Sequence, residues 1–177
     1  HSDIVGGSIV IKENKEYAEK ISYIQNAVGA IPSPFDCYLL TRSIKTLSVR
    51  MKQHNENAIA VSNFLTNHSK INKVFFPGID ERYKEVAAKQ MDGFGGMMSF
   101  ILDTNIDGVK SFLKNLNIFT LAESLGGVES LIEHPAIMTH ASIDPAIREK
   151  LGISDTLLRI SVGIEDVEDL IADLDQA

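Results

Sequence analysis

From residue 70 onward, short apolar runs of strand length alternate with stretches of helical period, and this alternation restricts the fold more than any other feature of the chain. INKVFF at 71–76, MMSFIL at 97–102, IFTLA at 118–122 and LLRISV at 157–162 are rich in β-branched and aromatic residues and too short for stable helices. Helices are expected between them, over residues 80–91, 107–116 and 145–150, and again from Glu165, where Val167, Leu170, Ile171 and Leu174 share one face. Glu165, Asp166, Glu168 and Asp169 fall in the first turns of that last helix, where acids favour the positive end of its dipole. A sheet layered with helices, α/β or α+β, is the fold class that follows.

The N-terminal part reads differently. IVGGSIVI at 4–11 has the composition of a buried strand, and Tyr17, Ile21, Ile24 and Val28 then follow a helical stripe that ends near Gly29 and Pro32-Ser33-Pro34. Cys37, Leu40, Ile44, Leu47, Met51, His54, Ala58, Val61 and Leu65 continue in steps of 3 and 4, which predicts one helix over 35–67 crossing between two parts of a larger fold. The stripe also assigns Cys37 to packing and His54 to a satisfied core position. Residues 1–67 and 68–177 are the expected divisions, the second a compact sheet-and-helix domain.

At 177 residues with 44% hydrophobic content, the chain is long enough to bury a sizeable core. Seventeen Lys and Arg against twenty-four Asp and Glu leave a net charge of −7, with no basic cluster to neutralise phosphates, so nucleic acid is an unsuitable partner. No apolar run approaches the roughly 20 residues that span a bilayer. A single cysteine excludes an intrachain disulfide framework, and the five histidines form no HExxH or paired metal-ligand pattern, so no metal is expected. The chain opens on His1 without a signal-peptide pattern, and the expectation is a processed chain or a piece of a longer one.

Arg159 stands out because strand alternation sends Leu158, Ile160 and Val162 to one face and Leu157, Arg159 and Ser161 to the other. A guanidinium in an aliphatic strand needs a carboxylate, from the protein or from a ligand. Its planar fork suits a two-pronged grip on a carboxylate, and an ion pair within the protein satisfies the same pattern. AESLGGVES at 122–130 sets Glu123, Ser124 and two glycines after a strand, an arrangement that suits either a ligand-facing loop or a plain turn. It lacks the G-x-G-x-x-G order of a dinucleotide site. Gly93, Gly95 and Gly96 read as a connector, His134 and His140 as loop residues, and no G-x-S-x-G elbow is present.

HSDIVGG at the start, QNAVGAIPSPFDCYLLTRSIKTLSVRM at 25–51, FTLAESLGGVESLIEHPAIMTHA at 119–141 and LGISDTLLRISVGIEDVEDLIADLDQA at 151–177 resemble the C-terminal half of the pyridoxal-phosphate enzymes of cysteine and methionine metabolism, most of all their γ-lyase branch. The resemblance implies the C-terminal part of an aminotransferase-like, fold-type I chain. Residues 1–67 would be the end of the large cofactor-binding domain and an inter-domain helix, and 68–177 the small substrate-binding domain. It implies pyridoxal 5'-phosphate as cofactor, a homotetramer, and a cytoplasmic enzyme with no nucleic-acid or membrane partner.

The implied reaction is the cleavage of cystathionine to cysteine, 2-oxobutanoate and ammonia, a carbon–sulfur lyase step of transsulfuration. By the same resemblance, Arg159 falls on the arginine of the RxSVGxE motif that binds the substrate α-carboxylate, which makes the ligand grip the preferred role for it. Ser124 of ESLGG would assist that carboxylate, Glu123 would favour the distal amino-acid end of cystathionine, and Thr139 of MTHAS would lie near the pocket. The Schiff-base lysine of the family precedes the HSD motif, so no catalytic residue is expected in these 177 residues, and the acid, aromatic and phosphate contacts to the cofactor are expected upstream as well. The chain alone would then be inactive. A cystathionine γ-synthase or methionine γ-lyase of the same family, and a non-catalytic interaction domain, are the alternatives.

Overall fold

The computed structural model describes all 177 residues. Its first regular element, α1 (Lys15–Val28), starts where the Asn14 side chain accepts the Tyr17 N–H at 3.1 Å, and it ends at Gly29 in the left-handed conformation. α2 (Pro34–Ser43) is begun by Ser33, whose hydroxyl accepts the Asp36 N–H, with Pro34 fixing the first turn. A 3₁₀ turn, Ile44–Thr46, precedes α3 (Leu47–Asn67). The single helix expected over 35–67 is therefore three pieces. Thr41 and Thr46 donate their hydroxyls back to the carbonyls of Cys37 and Ser43, bonds that compete with the regular ladder and tighten the backbone.

The chain divides into two compact units, His1–Leu47 and Ser48–Ala177. In the first, residues 4–11 form no strand, contrary to the sequence pattern, because a strand needs a ladder partner and this unit contains no strand. Val5 and Val10 are more than nine-tenths exposed, and α1 buries no residue. Cys37 also lies exposed instead of packed. Only from His54 onward is the long apolar stripe buried: His54, Ala58, Val61 and Leu65 all sit in the core of the second unit.

That unit is a five-stranded sheet with helices. In chain order it contains β1 (Ile71–Phe75), α4 (Lys84–Gln90), β2 (Met97–Leu102), α5 (Ile106–Asn115), β3 (Thr120–Leu121), β4 (Leu131–Glu133), α6 (Pro145–Lys150), β5 (Leu157–Ser161) and α7 (Val167–Gln176). The spatial order is β1-β2-β5-β4-β3, antiparallel except for the parallel β3–β4 pair. α4 is shorter than the 80–91 expected, because residues 80–83 are taken by a turn in which Asp80 accepts the Arg82 N–H at 3.0 Å. Asp166 caps α7, leaving Glu165 ahead of the helix and free for another task.

One face of the sheet makes the core. Met98, Phe100 and Leu102 of β2, Ile132 of β4, and Leu158, Ile160 and the following Val162 pack with Ala58, Val61 and Leu65 of α3, Val109 and Phe112 of α5, and Leu170 and Leu174 of α7. Each such side chain contributes about 1.5–3 kcal/mol by leaving water. The same alternation that buries these residues turns Arg159 to the opposite face.

Candidate functional site

Ser99 on β2, Arg159 on β5 and Glu133 on β4 are register partners, so three polar side chains cross the sheet in one row on the face away from the core. Glu133 is 1% exposed, while the Arg159 side chain keeps 25% of its surface in solvent. Glu133 Oε2 lies 2.6 Å from Arg159 Nη2 but off the N–H direction, an ion pair without an aligned hydrogen bond. Burying the carboxylate costs several kcal/mol unless a counter-charge stands beside it, which Arg159 supplies. The ion-pair alternative left open by the sequence pattern is thus present in the protein.

It occupies only one nitrogen. Nη2 also donates to the Glu123 carbonyl at 2.7 Å, and no protein group meets Nε or Nη1. A guanidinium has two edges that offer two nitrogens to a carboxylate, Nε with Nη2 and Nη1 with Nη2, and both include the nitrogen already engaged. A two-pronged grip on a ligand therefore requires Nη2 to release one partner.

The Glu123 carbonyl belongs to the loop over 122–130, which is pinned to the sheet at Gly126. Its φ of +77° suits glycine, and its N–H donates to Ser161 Oγ at 2.8 Å, two residues along β5 from Arg159 on the same face. The side chains of Glu123 and Ser124 are exposed and have no partner in the chain.

Turns after β4 bring Thr139 over Glu133. His134 is buried and its Nε2 lies 2.9 Å from the Asp155 carbonyl, so Nε2 carries the proton; Arg148 reaches the Ala136 carbonyl and, at 3.3 Å, Asp155 Oδ1. The Thr139 hydroxyl donates to Glu133 Oε1, and with its one proton spent it accepts from His140 Nδ1 at 2.8 Å. Arg159, Glu123 through its backbone, and Thr139 through Glu133 are thereby joined in one cluster. Ser124 adjoins the cluster by sequence, but its hydroxyl touches none of the others.

Glu133 itself escaped the sequence reading. Its signal was an acid ending the apolar run SLIE, but the two-residue apolar segment Leu131-Ile132 is too short to announce a strand. His54 is the satisfied core residue expected, with Nδ1 2.7 Å from the Val162 carbonyl. Beside Ser161 lies a hollow of about 400 Å³ walled by Met51, Met91, Met97 and Phe94, with no Lys or Arg in its lining; His54 also borders it.

The model of the family described as "Cys/Met metabolism PLP-dependent enzyme" matches residues 1–177. The chain is 53% identical over 178 aligned residues to the cystathionine gamma-lyase of Dictyostelium discoideum and 52% identical over the same length to the cystathionine beta-lyase of Coxiella burnetii. Each match takes in 100% of this chain and 46% of the relative, so the chain spans about half the length of the relatives it matches. In structure it resembles cystathionine gamma synthase from Xanthomonas oryzae pv. oryzae in complex with cystathionine, with a TM-score of 0.87 at 46% identity, covering 94% of this chain and 43% of that one. The expected fold class, mixed α/β of the fold-type I kind, is borne out. The relatives' names divide among γ-lyase, β-lyase and γ-synthase: the family is common to them and the reaction is not.

Pyridoxal phosphate is the cofactor of this family. An internal Schiff base needs an enclosed lysine, whereas all twelve lysines of this chain are exposed. A phosphate needs cationic or N–H donors, and the hollow beside Ser161 is mostly apolar, holds no Lys or Arg, and its one imidazole, His54, has Nδ1 committed to the Val162 carbonyl. The residues present fit the carboxylate of an amino acid and do not fit the cofactor itself.

Proposed function

This chain belongs to the Cys/Met metabolism PLP-dependent enzymes, and we propose that its protein is a carbon–sulfur lyase of transsulfuration that cleaves cystathionine to cysteine, 2-oxobutanoate and ammonia. Residues 48–177 would serve it by holding the substrate's α-carboxylate at Arg159. The observation that carries this reading is the half-engaged guanidinium: a cation fixed in the sheet at Nη2, with Nε and Nη1 unmet by protein and a quarter of the side chain still open to solvent. Fixing the carboxylate fixes Cα, and correct alignment at the reacting centre can contribute several kcal/mol to lowering a barrier. Ser124, one residue beyond the Glu123 carbonyl, would add a hydroxyl to the same carboxylate.

Glu123 supports cystathionine as substrate over an amino acid with a single ammonium group, such as methionine. Its carboxylate is exposed and without a partner, so it is available to the second ammonium group that cystathionine carries at its far end. A β-lyase is the second reading, supported by the relatives at 52% and 51% identity that bear that name. The two readings differ in products. Assay of the intact natural protein with cystathionine tests them: cysteine with 2-oxobutanoate is expected, and homocysteine with pyruvate would overturn the γ assignment in favour of the β one.

The proposal extends to the domain plan and assembly. Residues 1–67 as the end of a cofactor-binding domain and 68–177 as the substrate domain remain the reading from resemblance, alongside a contact boundary at 47/48. Val5, Val10, Tyr23 and Val28 are each largely exposed, which supports burial against the rest of that cofactor-binding domain, and we add from the resemblance that the whole protein is a homotetramer. No helix is long and apolar enough to cross a membrane, and a cytoplasmic location goes with the proposed metabolism.

A further inference from the structure

We propose that Glu133 is the positioning residue for Arg159, that Thr139 acts through Glu133 and not on substrate, and that an arriving carboxylate takes the place of the Glu123 carbonyl on Nη2. This rests on the reading of Arg159 as the carboxylate grip. The two partners of Nη2 differ in how freely they can leave. Glu133 is buried in β4, directly opposite Arg159, and its second oxygen is held by Thr139, which His140 in turn steadies. The Glu123 carbonyl sits on a loop without regular structure in which Glu123, Ser124 and Leu125 are exposed. A carbonyl is also the weaker acceptor: it carries only a partial charge, whereas an arriving carboxylate adds full ion pairing and two parallel bonds to the fork. Exchange at the carbonyl therefore gives the ligand both nitrogens of one edge, while Glu133 keeps the guanidinium in place. The same exchange releases the backbone beside Ser124 and the Glu123 side chain at the moment the substrate binds.

Glu133 has a second effect with an opposite sign. Its charge partly neutralises Arg159, so it orients the grip and also weakens it. Two variants separate these roles in the intact natural protein carrying its cofactor, with L-serine and L-serinamide as calorimetric probes that differ only in the carboxylate. Thr139→Val keeps the charge and removes the orienting bond: the preference for serine over serinamide should fall about tenfold, the loss expected for one bond to a charged group, while thermal stability falls modestly because the buried Oε1 loses its donor. Glu133→Gln keeps the shape and removes the charge: serine should bind more tightly, serinamide unchanged, while kcat on cystathionine falls. Equal effects on both probes, or none, from these variants would overturn the inference. Arg159→Gln tests the parent reading separately. If that variant leaves the serine preference intact, the carboxylate grip itself is wrong; if it abolishes the preference while Thr139→Val and Glu133→Gln do not alter it, only the positioning role falls.

Discussion

Glu165 accepts both the backbone N–H and the hydroxyl of Ser130, at 2.7 and 2.9 Å, and so ties the turn after β5 to the residue just before β4. Ser130 Oγ accepts the Gly163 N–H at 2.8 Å, and Asn57 of α3 donates to the carbonyls of Gly163 and Glu165. The strands that carry Arg159 and Glu133 are thus fastened at one end by side chains that never touch the row between them. Glu165→Ala should lower unfolding stability by about 2–3 kcal/mol, the usual scale for bonds to a charged acceptor plus a buried hydroxyl left unpaired. Urea denaturation measures it, and an unchanged midpoint would show that the tie is not structural.

Gly163 sits inside this tie with no room for a side chain. A Cβ there would run into Glu165 Oε2 and the Val128 carbonyl, the latter being backbone that cannot swing away. Gly163→Ala is expected to cost about 1–3 kcal/mol through overpacking. Gly126→Ala meets open space, and only its φ of +77° resists the substitution, at about 1–2 kcal/mol. The two losses differ in kind: adding Glu165→Ala should recover part of the Gly163→Ala loss and none of the Gly126→Ala loss, and additivity in both double mutants would contradict this account.

Where a strand buries one face, its sequence announces it. β2 and β5 were legible because Met98, Phe100, Leu102 and Leu158, Ile160 alternate with less buried partners, and the outward placement of Arg159 followed from that period alone. β4 was not, since three residues cannot display a period, and the carboxylate beside Arg159 was missed with it. The segment 4–11 and the helix over 35–67 misled for the converse reason: both patterns record surfaces that suit burial, while strand formation needs a ladder partner and helix continuity depends on local hydroxyl bonds. Glu123 and Thr139 were picked out by resemblance, and what sequence could not convey is that one acts in the cluster through its carbonyl and the other through a second side chain.

Asp173 gives the fold a pH dependence of known sign. Burial raises its pKa, but the backbone N–H groups of Asn117, Phe119 and Ile118, at 2.7, 3.0 and 2.8 Å, together with Gln176, outweigh that and hold it below the usual aspartate value. A carboxyl depressed in the folded state adds stability above its unfolded pKa of about 3.9 and loses it as pH falls through the folded value. Asp173→Asn should therefore be less stable than the natural protein by a constant amount from about pH 5 to 7, with the gap closing below about pH 4. A gap that widens on acidification would reverse the assignment.

Glu123 separates substrate choice from the carboxylate grip, because its carbonyl and its side chain face different tasks. The carbonyl meets Arg159 Nη2 whatever the side chain, so Glu123→Ala preserves the resting posture of the guanidinium. What the substitution removes is an exposed carboxylate with no other partner, suited to the distal ammonium of cystathionine and of no use to methionine, which has none. In the intact natural protein, kcat/KM for cystathionine should fall about tenfold, the scale of one charge-assisted contact at a partly exposed site, while kcat/KM for methionine stays within a factor of two or so. The ratio of the two constants is the decisive quantity, since damage to the Arg159 cluster would lower both together. An unchanged ratio would remove Glu123 as the reason to favour cystathionine over methionine and leave substrate choice to the parts of the pocket that approach the sulfur.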